Sequence, residues 1–556
     1  MKILAALLFL FSCSGVAGPA EGSQGMAATA HPLATGAALD AMRRGGNAID
    51  AAVAAALMLG VVDGSNSGIG GGCFFLIRRA NGEIVAIDGR ETAPLAASRE
   101  MFLRGGKGDT RLSQVGALAS GTPSALAACH LALARYGKLP LKSHLIPASE
   151  LAERGFRIDT LYAGRLQSNA DDLARFESSR AIYLNPEGRP WVEGDLLRQP
   201  DLAATYRHIA ENGIAWFYEG PFAEATARWM KENGGLLTVE DFRSYQPKLR
   251  EPVRSGYRGY EVVSFPPPSS GGVHVLQILN VVENFPLRTF GHHSAEAIHV
   301  VAEAMRFAFA DRAHWLGDPD FVPVPRALIS KPYARTIADR IRMDRVSDLP
   351  GHGTPERSGE AVFGKHTTHL STADAEGNWV ACTATINTSF GSKVVIPGTG
   401  VLLNNQMDDF SIEPGVPNAF GLVGGEANAV APGKRPLSSM SPTILLKENE
   451  PLLSLGAAGG PTIISQTLLA ILNTVDFDLD LERAIAAPRF HHQWKPNELK
   501  IETTIDPAVR AALRLLGHSL SEVEKFGACQ AVGRSAKERP FAGVADPRIG
   551  GSAAGW

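Results

Sequence analysis

Apolar positions recur along the chain with two different periods, and they divide it into segments. After Met1-Lys2, an apolar run from Ile3 to Phe11 gives way to small residues through Ala20. One positive charge, an apolar core and a small-residue end predict a signal peptide over residues 1–20, with Gly15-Val16-Ala17 as a small-x-small cut. Leu10-Phe11-Ser12-Cys13 also fits a lipid-attachment site at Cys13, although the short stretch before it favours a simple discarded leader. An alanine-rich helix is then predicted from His31 to Arg44, stopping at Gly45-Gly46. Asn47 caps a second helix over Ala48–Leu59, and Gly60 reads as its end. Short β segments follow the glycine run Gly68–Gly72: Cys73–Ile77 and Ile84–Ile87, joined at Asn81-Gly82 as a hairpin. The middle of the chain is mostly helical. Ile298, Val301, Ala302, Met305 and Phe309 mark one helix face there.

The pattern changes between about Val346 and Gly364, where Pro350, Gly351, Gly353, Pro355, Ser358 and Gly359 read as an exposed linker. Directly after it, Thr367–Ala373 is β-rich, and Glu376-Gly377-Asn378 turns it into a second strand, Trp379–Thr385. By local pattern alone this is either an ordinary loop entering a sheet or a junction with a purpose of its own. Helices around several short strands predict an α+β fold with αββα layers.

Composition narrows the class. With 556 residues, 45% hydrophobic and 20% charged, the chain is a globular protein of two domains or of one large layered fold. A net charge of -3 gives no support to binding nucleic acid or an anionic membrane. No run after the leader reaches the roughly 20 apolar residues that span a bilayer; Leu57–Val62 is too short. The five cysteines, Cys13, Cys73, Cys129, Cys382 and Cys529, are widely spaced and read as free thiols rather than a zinc site. His491-His492 is not read as a metal site, because neighbours on a strand face opposite ways.

The densest chemistry lies between Thr367 and Gly460. Thr367-Thr368-His369-x-Ser371, Asn387-Thr388-Ser389-Phe390-Gly391, Leu403–Phe410, Pro436–Thr443, Gly459-Gly460 and Pro488–His492 occur in that order. Upstream stand Gly45–Ala52, Ser67–Gly72, Asp88–Pro94 and Pro266–Gly272. In these blocks the chain resembles the γ-glutamyltransferase (glutathione hydrolase) family of N-terminal-nucleophile hydrolases.

The resemblance implies a four-layer αββα sandwich formed jointly by two subunits of one precursor. It implies self-cleavage before Thr367, giving a large subunit of residues 21–366 and a small subunit of 367–556. Thr367 becomes the nucleophile and its own freed α-amino group the base; such an amine, with a pKa of about 8, is partly neutral near neutral pH. Thr385 orients the nucleophile, and Gly459-Gly460 form the oxyanion hole. Arg90, Ser438 and Ser439 are expected to take the donor's α-carboxylate, and Asn387, Gln406 and Asp409 its α-ammonium. Pro417–Pro436 resembles the family's lid. Glutathione or another γ-glutamyl compound is the expected donor, and water, an amino acid or a peptide the acceptor. No cofactor or metal is expected. Export to the periplasm or medium follows from the leader.

Ala458, Lys393 and Asp63-Gly64-Ser65-Asn66 depart from the usual pattern and bear on acceptor choice. Three rivals remain: an acylase for another amide, a poly-γ-glutamate transferase, and an uncleaved binding homologue. Asp409 with Arg90 speaks against the first, the lid against the second, and Thr367, Thr385 and Gly459-Gly460 against the third.

Overall fold

The computed structural model describes residues 19–349 and 367–556. The leader, Cys13 and the linker beyond Leu349 lie outside the described residues.

Two seven-stranded sheets stack between layers of helices, the expected αββα arrangement. The first runs, by residue range, Ser552–Gly555, Gly25–Thr29, Thr368–Asp374, Trp379–Thr385, Gly72–Arg78, Ile84–Gly89, Lys248–Arg250. The second runs Ala20–Gly22, Phe541–Ala545, Ala528–Gly533, Glu450–Ala458, Thr443–Lys447, Tyr260–Ser264, Val253–Tyr257. Every pairing in both is antiparallel. Each sheet draws strands from both sides of residue 366, so the expected cleavage before Thr367 would leave two chains sharing both sheets.

Strand alternation assigns side chains to the layers. Cys73, Phe75 and Ile77 point into a core built with the alanine-rich helices Pro32–Arg43 and Ala48–Val62. Phe74 and Leu76 point the other way, between the sheets, where they meet Leu455 and Ala457. Burying a side chain of the size of Phe74 or Leu76 contributes about 2 kcal/mol. Because both faces are covered, the central strands are buried at every position, Thr368–Asp374 and Trp379–Thr385 included.

Asn47 caps the second N-terminal helix as predicted, forming a full capping box with Asp50, and His31, read as the start of the first helix, is its cap. The second helix, however, runs through Gly60 to Val62. A Cβ at Gly60 would lie 2.8 Å from the Tyr206 hydroxyl and 3.2 Å from the Gly68 Cα. Gly60 therefore serves close packing rather than termination. The helix predicted around Ile298 spans Ala295–Trp315, and it is buried almost all round, with Glu303, Arg306 and Asp311 on its other sides and Arg312 continuing the apolar face past Phe309. Cys73, Cys129, Cys382 and Cys529 are free and buried.

Candidate active site

Thr367 immediately precedes the central strand Thr368–Asp374, whose partner Trp379–Thr385 ends opposite it, with Thr368 in register with Ala384. The two threonine hydroxyls stand 3.4 Å apart, and both residues are buried. The backbone N–H of Asn387 donates to Thr385 Oγ1 at 2.9 Å. That bond helps hold the Thr385 hydroxyl beside Thr367. The chain reverses just beyond, with Asn387 in the left-handed region at φ 79. There its side-chain amide donates to the Asn405 carbonyl at 3.0 Å.

Beside these threonines is a narrow cavity lined by Arg90, Asn387, Gln406, Asp409, Ser438, Ser439 and Gly460, together with Phe420 and Leu422. Every candidate residue named from the sequence except Gly459 lines it, and Gly459 precedes Gly460. Arg90 is wholly buried and fixed by three groups. Its Nε donates to the Pro436 carbonyl at 3.0 Å, its Nη2 pairs with Asp409, and its Nη1 lies 3.8 Å from Glu91 without a hydrogen-bond acceptor. Burial pushes the Glu91 carboxyl up to about 8, so near neutral pH it is largely uncharged and leaves the Arg90 charge to the cavity. Gln406 Nε2 donates to Asp409 at 2.8 Å, which leaves Gln406 Oε1 as a buried acceptor with no partner.

Met440 N–H donates to Ser438 Oγ at 3.1 Å, so that hydroxyl also has its hydrogen available. Gly459 and Gly460 join the strand Glu450–Ala458 to the helix Thr462–Val475, at φ 132 and 57. Neither N–H donates to another group among the described residues. They sit at a helix N-terminus, where the dipole favours negative charge. Gly460 must be glycine for a second reason: a Cβ there would lie 2.6 Å from the Phe420 ring.

The lid segment folds over this cavity. Asp408 accepts the Ala419 N–H at 2.9 Å, and Asn418 Nδ2 reaches Asp409 at 3.5 Å. Asn418 Oδ1 in turn accepts from the N–H groups of Phe420 and Leu422, which shapes the lid turn. Asn418 was not among the sequence candidates, nor was Gln466, whose amide holds the Ala458 carbonyl at 2.8 Å ahead of the glycine pair. A turn-forming asparagine and a helical glutamine carry no local mark of such roles. Of the unusual positions, Lys393 is buried outside the cavity lining and donates to the Ser389 carbonyl, and burial lowers its ammonium to about 7. His491 bonds Ser465 and Gln493, and His492 accepts from Trp494 N–H.

The gamma-glutamyltranspeptidase family model matches residues 34–556. A glutathione hydrolase proenzyme of Escherichia coli K12 is 45% identical over 95% of this chain and 91% of its own length. Among solved structures, a cephalosporin acylase from Bacillus halodurans aligns with TM-score 0.85 at 28% identity, covering 100% of this chain and 99% of its own. The Helicobacter pylori gamma-glutamyltranspeptidase aligns with TM-score 0.56 at 44% identity, over 57% of this chain and 91% of its own.

Proposed function

The chain belongs to the gamma-glutamyltranspeptidase family, and from that membership we propose that Thr367 is the nucleophile that carries its γ-glutamyl group. The protein is a γ-glutamyltransferase and glutathione hydrolase, made as a proenzyme that is processed into two subunits. The observation that best supports the proposed pocket is a complementary pair of unmade hydrogen bonds. One cavity is lined by Arg90, whose buried Nη1 has no hydrogen-bond acceptor, and by Gln406, whose buried Oε1 next to Asp409 has no donor. Leaving such groups unsatisfied is costly, and a ligand carrying carboxylate and ammonium on one carbon would satisfy both.

In the proposed sequence Thr367 Oγ1 attacks the γ-carbonyl carbon, and its hydroxyl proton passes to the freed α-amine of the same residue. Thr385, by donating to Thr367, orients that hydroxyl. The N–H groups of Gly459 and Gly460 receive the oxyanion. The amine delivers the proton to the departing nitrogen, leaving a γ-glutamyl ester on Thr367. Water or an acceptor amine then attacks the ester and restores the threonine. Arg90, Ser438 and Ser439 hold the α-carboxylate, while Asn387, Gln406 and Asp409 hold the ammonium. The lid, through Asn418 and Phe420, limits which acceptors enter.

Cleavage before Thr367 would give the large subunit 21–366 and small subunit 367–556. Export is supported by the leader pattern, and the periplasm or medium is the proposed location, with Cys13 as a lipid anchor in the alternative reading. Ala20 pairs with Gly543, which favours a leader cut before Ala20, where Gly15-Val16-Ala17 already offers one. No described helix is long and apolar enough to cross a membrane. An acylase reading is compatible with the fold; against it stands Asp409, whose Oδ2 pairs with Arg90 while its Oδ1 meets, among the described residues, only the Asn418 amide, at 3.5 Å, and is open to a substrate ammonium.

Two measurements test the pocket. With a γ-glutamyl anilide as donor, an added dipeptide should raise aniline release and yield the γ-glutamyl dipeptide; release with no γ-glutamyl dipeptide would refute transfer. Arg90→Lys keeps charge but loses the planar fork, so KM for γ-glutamyl donors should rise on the order of tenfold. Unchanged KM would remove Arg90 from the pocket.

A further inference from the structure

Arg312 lies near the end of the Ala295–Trp315 helix and is 5% exposed. Of the comparably buried arginines, Arg306 pairs with Glu303, Arg435 with Asp88 and Arg489 with Asp546, while Arg78 donates to the carbonyls of Gly377 and Asn449. Arg312 forms no ion pair among the described residues. Its Nε donates to Ser270 Oγ at 3.0 Å and its Nη2 to Ser439 Oγ at 3.5 Å. A guanidinium taken out of water without a counter-charge is unfavourable, so such a group points to a charge that arrives from elsewhere.

Its contacts lead to the carboxylate end of the donor cavity. Ser270 Oγ, which accepts from Arg312, donates to the Ser438 carbonyl at 2.8 Å. Ser439 Oγ accepts from Arg312 directly, so its own hydrogen is left to donate to a further acceptor. A hydroxyl that accepts from a cation is a stronger donor in turn. One guanidinium thus supports the backbone of Ser438 and polarises the hydroxyl of Ser439. Burial and the neighbouring Arg90 lower Arg312 to about 10 while Asp409 opposes them, which places it in the field of the same cavity.

Resting on the pocket reading above, we propose that Arg312 is a positioning residue for donor recognition: through Ser439 and Ser270 it supplies the second positive charge, after Arg90, that the α-carboxylate answers. Substrate binding then provides the counter-charge.

The test compares L-glutamate with 4-aminobutyrate, which lacks only the α-carboxylate, as inhibitors of the processed enzyme. Wild type should bind L-glutamate more tightly. Arg312→Gln should reduce that preference about tenfold or more, raise KM for a γ-glutamyl anilide, and change kcat at saturation far less. Arg312→Lys should recover part of the loss. Where Arg312→Gln is not processed, Ser270→Ala leaves the guanidinium in place but cuts its link to Ser438, and should move the preference in the same direction. An unchanged preference in Arg312→Gln, or in Ser270→Ala where that stands in, would overturn the proposal, provided Arg90→Lys still loses it. If wild type itself showed no preference, the carboxylate pocket itself would be misplaced.

Discussion

Thr367→Ala is expected to remain a single chain and to lose turnover by a factor on the order of 10⁵ or more, the scale seen when a covalent nucleophile is removed. Both effects have one cause. The hydroxyl that would attack the preceding carbonyl during maturation is the one that would later attack the donor. Folding should be little affected. Thr367 precedes its strand rather than filling the core, and the strand pairs through Leu370–Asp374 on one side and Thr368–Ala373 on the other. Thr367→Ser retains a hydroxyl and should mature and keep part of the activity. Gel electrophoresis with a γ-glutamyl anilide assay reads both outcomes. Turnover like wild type in Thr367→Ala would refute the nucleophile.

Asp409→Asn carries the second large effect. Asp409 pairs with Arg90 and accepts from Gln406 and Asn418, so its charge is the centre of the cavity's polar network. The change removes the anion facing the ammonium and leaves Arg90 uncompensated. Truncating one partner of a buried charge pair typically costs about 2–5 kcal/mol, or roughly 30- to 5,000-fold in kcat/KM for γ-glutamyl donors. An amide whose acyl part carries no ammonium should be spared. Measuring both substrates on one preparation cancels differences in the amount of folded enzyme. Equal losses would make Asp409 structural, and no loss on either would bring the acylase reading forward.

Much of this architecture was legible because local chemistry and tertiary role coincide. Asn47 is a cap by residue type, and Asn81-Gly82 turns a hairpin whose strands pair in register. The nucleophile strand could be read from its apolar neighbours and its turn. Where local and tertiary roles diverge, the sequence misled or stayed silent. Gly60 looks like a helix end, but it sits where two segments approach too closely for a side chain. Arg312 continues the apolar face of its helix, three residues past Phe309, and periodicity does not say that a charge there meets the serine loop. Nor does periodicity show that Arg90 meets Asp409, 319 positions later. The family resemblance supplied those partners by position, and the fold supplies their geometry. Asn418 and Gln466 act by holding other groups, and one sequence carries no mark of that.

The central claim is that this chain cuts itself to make its own catalytic residue. Intact mass spectrometry of the purified protein, followed by N-terminal sequencing of the smaller species, tests it most directly. The account predicts two chains, the smaller beginning Thr-Thr-His-Leu-Ser at Thr367. A single uncleaved chain that nevertheless turned over γ-glutamyl donors would contradict it.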